Sequence, residues 1–173
     1  MIFINEHYLG KTLGKYKRQC YLRIIKSWVR QKSPYALLKT DLFEEAHDVD
    51  QILPGLAVDN LAIGMDNSYN ICSMALDRCK KKYSILNCDL KDLPFRDNAF
   101  DIVFSPSTID HCSRSMMKRY IKEMIRVLKQ DGTMIISINN KHNLLLFLLN
   151  RFGQAFRLNR LRTEYYYFKE MKE

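Results

Sequence analysis

Five short apolar runs alternate with longer stretches of helical periodicity, at residues 35–39, 61–66, 83–88, 101–105 and 133–138. The runs are continuously apolar rather than alternating. A strand of that kind is buried on both faces, which requires parallel neighbours and helices above and below. The expected class is α/β, an open, mainly parallel sheet with helices on both faces. Ligands of such sheets bind beyond the carboxyl ends of the strands, where the strand order reverses. Each run closes on polar residues: Lys39-Thr40-Asp41, Asp66, Asp89, Ser105 and Asn139-Asn140.

The helical stretches fit between them. Residues 12–31 place Leu13, Tyr16, Cys20, Ile24 and Trp28 at three- and four-residue spacing, predicting one apolar face there. Asp41 is a cap candidate for the next helix, with Glu44 three residues on. Pro54-Gly55 reads as a chain break. Ser68 opens a helix over 68–81 with Ile71, Met74, Ala75 and Cys79 inward. A helix over 115–129 carries Met117, Tyr120, Ile121, Met124, Ile125 and Leu128, and Asp131-Gly132 reads as the turn after it. A further helix is expected over 143–152, with a basic, aromatic tail beyond.

With 173 residues, the chain has room for one domain with a real core. No apolar run approaches the ~20 residues of a membrane span, and no leader pattern is evident, so a cytoplasmic setting is expected. Five cysteines, an odd number with no C-x-x-C pair, favour reduced thiols over a disulfide framework. A zinc set of Cys79, Cys88, His111 and Cys112 has irregular spacing, and no metal is assigned. The net charge is +9, and residues 11–32 hold eight Lys/Arg and no acid. A solvated helix face explains that segment best. Contact with a membrane or another anionic surface is the alternative.

The acid closing the second run is placed to bind ribose. Asp66 follows the first loop by a little over 20 residues, the spacing at which a carboxylate accepts from a cis-diol, and Asn67 adjoins it. Asp89 and Leu90 are the corresponding adenine candidates, with Asp92 as competitor. The first loop, LKTDLFEEA, has no glycine. A dinucleotide needs glycines there so that backbone can approach its diphosphate, and nearby acids repel it. Asp41, Glu44 and Glu45 are hostile to phosphate and tolerant of a cation. A cofactor with adenine, ribose, a sulfonium and an ammonium fits that charge pattern: S-adenosylmethionine. Acids at a helix start also complement the macrodipole, and both readings can hold.

The run IGMD, then CDLKDLPFRDNAFDIVFSPSTIDH, then EMIRVLKQDGTMIISI resembles the class I S-adenosylmethionine-dependent methyltransferases. Its style is similar to the small-molecule group that includes the ubiquinone and menaquinone biosynthesis enzymes. LPFRDNAFDIVFS is the most specific piece, and RVLKQDGTMIIS matches the family's helix, turn and fifth strand. The resemblance covers about residues 35–140. It implies a Rossmann-like sheet, a cofactor site including Lys39, Thr40, Asp41, Glu44, Asp66, Asn67, Asp89, Leu90, Ser105 and Ser107, and methyl transfer to a small-molecule acceptor. His111 is the candidate general base and Asp110 its orienting or pocket-lining partner, with Asn140 and His142 as further acceptor-side candidates. The family's sheet has seven strands. Strands six and seven are missing here, so a C-terminally truncated chain is expected. The organisation read from the sequence is a basic amphipathic helix over 1–34, the cofactor-binding domain over 35–140 and a basic helical segment over 141–173.

Two other classes compete. The absent glycines and missing strands motivate an inactive methyltransferase-like binding or scaffold protein. The basic arms motivate an RNA-modifying methyltransferase, ranked third because no Asn-Pro-Pro-aromatic motif follows the fourth run. A nicotinamide dehydrogenase ranks last, because the phosphate loop is wrong for it. The helix over 12–31 is also a candidate cover for the acceptor pocket.

Overall fold

The computed structural model describes residues 6–28, 34–47, 51–79, 83–109 and 112–137. Helix α1 (Glu6–Trp28) leads into β1 (Ala36–Lys39), followed by two short helices, α2 (Phe43–His47) and α3 (Leu53–Leu56). Then come β2 (Leu61–Asp66), α4 (Tyr69–Arg78), β3 (Ser84–Asn87), β4 (Phe100–Pro106), α5 (Arg114–Val127) and β5 (Leu128–Ser137). The strands form one parallel sheet in the order β3-β2-β1-β4-β5. The order reverses between β1 and β4, the expected ligand position.

Strand alternation sends side chains to two cores. Leu37, Ala62, Ile102 and Phe104 face Ile25 of α1, Ala46 of α2, Leu53 and Leu56 of α3, and Cys72 and Ala75 of α4. Leu38, Met65 and Val103 face the other way, against Met117, Tyr120, Met124 and Val127 of α5 and against Leu90 and Leu93. Helices therefore cover both faces, as the continuous apolar runs require. Ser68 and Ser113 cap α4 and α5, accepting from Ile71 N and Met116 N.

Met74, expected inward on α4, is 37% exposed, and Leu128, expected in the helix, opens β5. Three further local expectations fail, each for a physical reason. The docked face of α1 is Tyr21, Leu22 and Ile25, while Tyr16 is 68% and Ile24 40% exposed. The apolar spacing misled because Lys17 and Arg18 share the docked face, their heads bonded to Glu44 and the Gln51 carbonyl. Pro54-Gly55 does not break the chain but sits in α3. Proline is tolerated in a first turn, and Glu45 Oε1 accepts the N–H groups of Ile52 and Leu53 there. The Asp131-Gly132 turn is an excursion within β5: between the pairs Phe100↔Leu128 and Ile102↔Thr133, β4 advances two residues and β5 five. A Cβ on Gly132 would lie 2.9 Å from the Lys129 carbonyl oxygen, so the excursion needs glycine.

Candidate functional site

The loop after β1 is built around a buried lysine. Lys39 is fully buried, and its ammonium donates to Glu45 Oε2 at 2.7 Å, to Glu44 Oε2 at 3.3 Å and to the Asp41 carbonyl. An ammonium has three donors, and all are committed within the protein. Glu45 is fully buried too; one oxygen takes Lys39 and the other caps α3. Glu44 is shared with Lys17 of α1 at 2.9 Å. Burial works against the Glu44 charge, but Lys39 and Lys17 outweigh it and hold the carboxyl at about 2.

The missing loop glycine has its counterpart in the next strand. A Cβ on Gly64 of β2 would come within 2.5 Å of Leu42 Cδ2 and 3.1 Å of Leu53 Cδ2. The bare Cα lets Leu42, fully buried, drop onto the sheet. Close approach here is made by a side chain over a strand glycine, not by loop backbone over a phosphate.

Lys17 and Lys39 balance Glu44 and Glu45, leaving Asp41 and Asp66 as the uncompensated anions of the described loop. Asp41 Oδ1 accepts from Phe43 N at 2.9 Å. Burial, together with Glu44 and Asp66, pushes the Asp41 carboxyl up to about 6 against the pull of Lys39. Asp66, at the end of β2, accepts Leu42 N on Oδ2 at 3.2 Å and Ser68 N on Oδ1 at 2.9 Å. It ties the first loop to the start of α4, and each oxygen keeps acceptor capacity. Asn67 beside it is exposed.

Beyond the switch point lies a set of hydroxyls. Thr40 Oγ1 donates to Ser105 Oγ at 2.9 Å and lies 3.1 Å from Thr108 Oγ1. Thr40 and Ser105 are both buried. Ser107 has φ of +49°, a left-handed conformation that costs a non-glycine residue energy, and its N–H donates to the Ser137 carbonyl. On the far side of β2, Asp89 follows β3, half-buried and paired with Lys91 at 2.8 Å, while Leu90 is buried below it. Along the carboxyl edge the order is therefore Asp89, Asp66, Asp41 with Thr40, then Ser105 and Ser107.

The structure joins Lys39, Asp41, Glu44 and Asp66 through one loop, and Thr40 with Ser105 through a hydroxyl bond. Asp89 and Leu90 stand apart on the β3 side. Asp110, His111, Asn139, Asn140 and His142 lie outside the described residues. Sequence reasoning missed Lys17, Thr108 and Gly64. The glycine after LAI was the one available signal, since an isolated glycine in a strand marks a close approach.

A family model described as a methyltransferase domain matches residues 51–136, and the chain belongs to that family. Among the described residues, the open five-stranded sheet has the Rossmann-like fold of class I S-adenosylmethionine-dependent methyltransferases. An uncharacterised protein of Methanocaldococcus jannaschii is 28% identical over 157 residues, 85% of this chain and 56% of that protein. The chain thus spans little more than half of that relative. A Bos taurus protein named "Probable tRNA methyltransferase 9B" is 42% identical over 55 residues, 31% of this chain and 12% of that one. Among solved structures, magnesium protoporphyrin IX methyltransferase from Synechocystis, with bound S-adenosylhomocysteine, superposes with a TM-score of 0.72. It is 14% identical, covering 99% of this chain and 75% of that one.

Proposed function

We propose that this chain binds S-adenosylmethionine along the carboxyl edge of its sheet and directs the methyl group to a small-molecule acceptor. The observation that carries the reading is the charge left over in the first loop. After Lys17 and Lys39 are balanced, Asp41 and Asp66 remain, a pair suited to an ammonium and a diol and hostile to phosphate. Asp66 takes the ribose hydroxyls with its remaining lone pairs, beside Asn67. Asp89 takes the adenine amine, over Leu90. Asp41 takes the ammonium, and Thr40, Ser105 and Ser107 line the methionine end. Lys39 and Glu44 serve as the frame that gives the loop its shape.

The bound cofactor supplies an electrophilic methyl on a sulfonium. The chain's share is alignment and exclusion of water, which dominate an in-line displacement. For a hydroxyl acceptor, His111, oriented by Asp110, removes the proton. The test is transfer of labelled methyl from S-adenosylmethionine into small-molecule and RNA fractions of a cell extract. Label in the small-molecule fraction, reduced in His111→Ala, is expected; label in RNA alone refutes the small-molecule acceptor.

An RNA acceptor is the second reading, favoured by the 55-residue likeness to the Bos taurus protein named for tRNA. It predicts RNA affinity that falls steeply with salt.

A further inference from the structure

The two most specific sequence segments are one mechanical unit, joined by Arg126. All five of its guanidinium donors are used. Nε and Nη2 form a fork on Glu123 at 3.0 and 2.8 Å. Nη2 also donates to the Leu93 carbonyl at 2.9 Å. Nη1 donates to the Phe95 carbonyl at 2.8 Å and to Asp97 Oδ1 at 2.8 Å. Glu123 closes the ring by accepting Leu93 N at 3.0 Å. The return chain is held as well, since Asn98 N and Ala99 N donate to the carbonyls of Arg126 and Val127. A lysine or any neutral side chain lacks the planar fork this arrangement uses.

The clamp acts on the segment that carries Asp89 and Leu90. Leu93 is fixed at both its N–H and its carbonyl, and Leu90 and Leu93 share the α5-side core. Asp92 N donates to the Asp89 carbonyl and Phe95 N to the Leu93 carbonyl, so the segment is a series of tight turns with little slack. Phe95 meets Phe100 edge-on at 4.9 Å. Among the described residues, the bonds of the Asp89 carboxylate run to Lys91, a half-exposed neighbour two residues away, and not to the rest of the site. Asp89 is therefore held from two sides: by β3, where Cys88 N donates to the Asp66 carbonyl, and by the turn through Leu90 and Leu93 that Arg126 bonds.

We propose that Arg126 is the positioning residue for the nucleobase end of the site: through residues 93–97 it sets where Asp89 stands, and so sets selectivity for adenine. This rests on the reading of Asp89 given above. The probes are S-adenosylhomocysteine and its hypoxanthine counterpart, S-inosylhomocysteine, titrated against the whole chain. The carboxylate accepts from the adenine amine and repels the hypoxanthine oxygen, so the wild type should prefer adenine by about tenfold or more. In Arg126→Gln the ratio should collapse toward one while the protein stays folded. Weakening of both ligands by the same factor, with the ratio kept, would mean a purely structural role and overturns the proposal. Should Arg126→Gln not fold, Asp97→Ala removes one exposed arm of the clamp. A ratio lowered about two- to threefold is expected there, and an unchanged ratio overturns the proposal. A wild type that binds neither ligand defeats the S-adenosylmethionine reading itself. A wild type that binds both equally defeats only the adenine assignment and the role of Arg126.

Discussion

Lys39 and Glu45 form an ion pair 2.7 Å apart with both side chains completely removed from solvent. Such a pair stabilises a fold only weakly relative to apolar residues, but removing one partner strands a buried charge. Lys39→Met leaves the buried Glu45 without its cation, whereas Lys39 would still have Glu44 if Glu45 were removed. Lys39→Met should therefore destabilise the protein by about 3–5 kcal/mol in denaturant unfolding. The double variant Lys39→Met, Glu45→Gln should lose less than the sum of the single variants. Additive losses would show that the two groups do not act as a pair.

Gly64→Ala places a methyl against Leu42 and Leu53. Overpacking of that kind costs about 1–3 kcal/mol. Because Leu42 N also donates to Asp66, affinity for S-adenosylhomocysteine should fall with stability. Thermal unfolding and titration of the same sample check both. Unchanged affinity in a destabilised Gly64→Ala would separate Leu42 from the site.

Asp41 gives the site a pH dependence. Its carboxyl is raised to about 6 by burial, Glu44 and Asp66, so the ligand-free fold holds a proton there that an unfolded chain releases lower down. That contribution to stability is present below the ordinary aspartate range and is lost as pH rises through about 6. An arriving ammonium favours the ionised form and lowers the pKa again. S-adenosylhomocysteine should thus bind more weakly below pH about 6, with proton release near that pH, and Asp41→Asn should flatten the profile. Calorimetry in two buffers of different ionisation enthalpy measures the proton directly. A wild-type profile flat from about pH 5 to about pH 7 would remove Asp41 from the ammonium's surroundings.

Glu44 works in the other direction. Lys39 and Lys17 hold its carboxyl at about 2, so its stabilisation is present above the ordinary glutamate range and lost as pH falls toward 2. Lys17→Met removes one of those cations and should shift the acid-unfolding midpoint upward, read by circular dichroism.

What the sequence made legible follows from periodicity and position. The strand over Leu61–Asp66 was readable to the residue, because a continuous apolar run closed by an acid fits little besides a buried strand. Ser68 was readable as a cap from its place before an amphipathic stretch. The docked face of α1 was not, because Lys17 and Arg18 look like solvent-facing residues until Glu44 and the Gln51 carbonyl are known to face them. The three acids of the first loop read alike in the sequence. Only the fold separates Glu45, a capping and pairing group, from Asp41, which keeps surplus charge. The tie between Arg126 and residues 93–97 spans about thirty positions and leaves no local pattern.

Asp66 and the glycine-free first loop stand or fall together as a nucleoside site. Titration of the chain with S-adenosylhomocysteine by calorimetry, with Asp66→Ala alongside, decides it. Saturable one-site binding is predicted, weakened by about tenfold or more in a folded Asp66→Ala. A folded wild type that gives no heat at high concentration, or an Asp66→Ala that binds as tightly as the wild type, would contradict it.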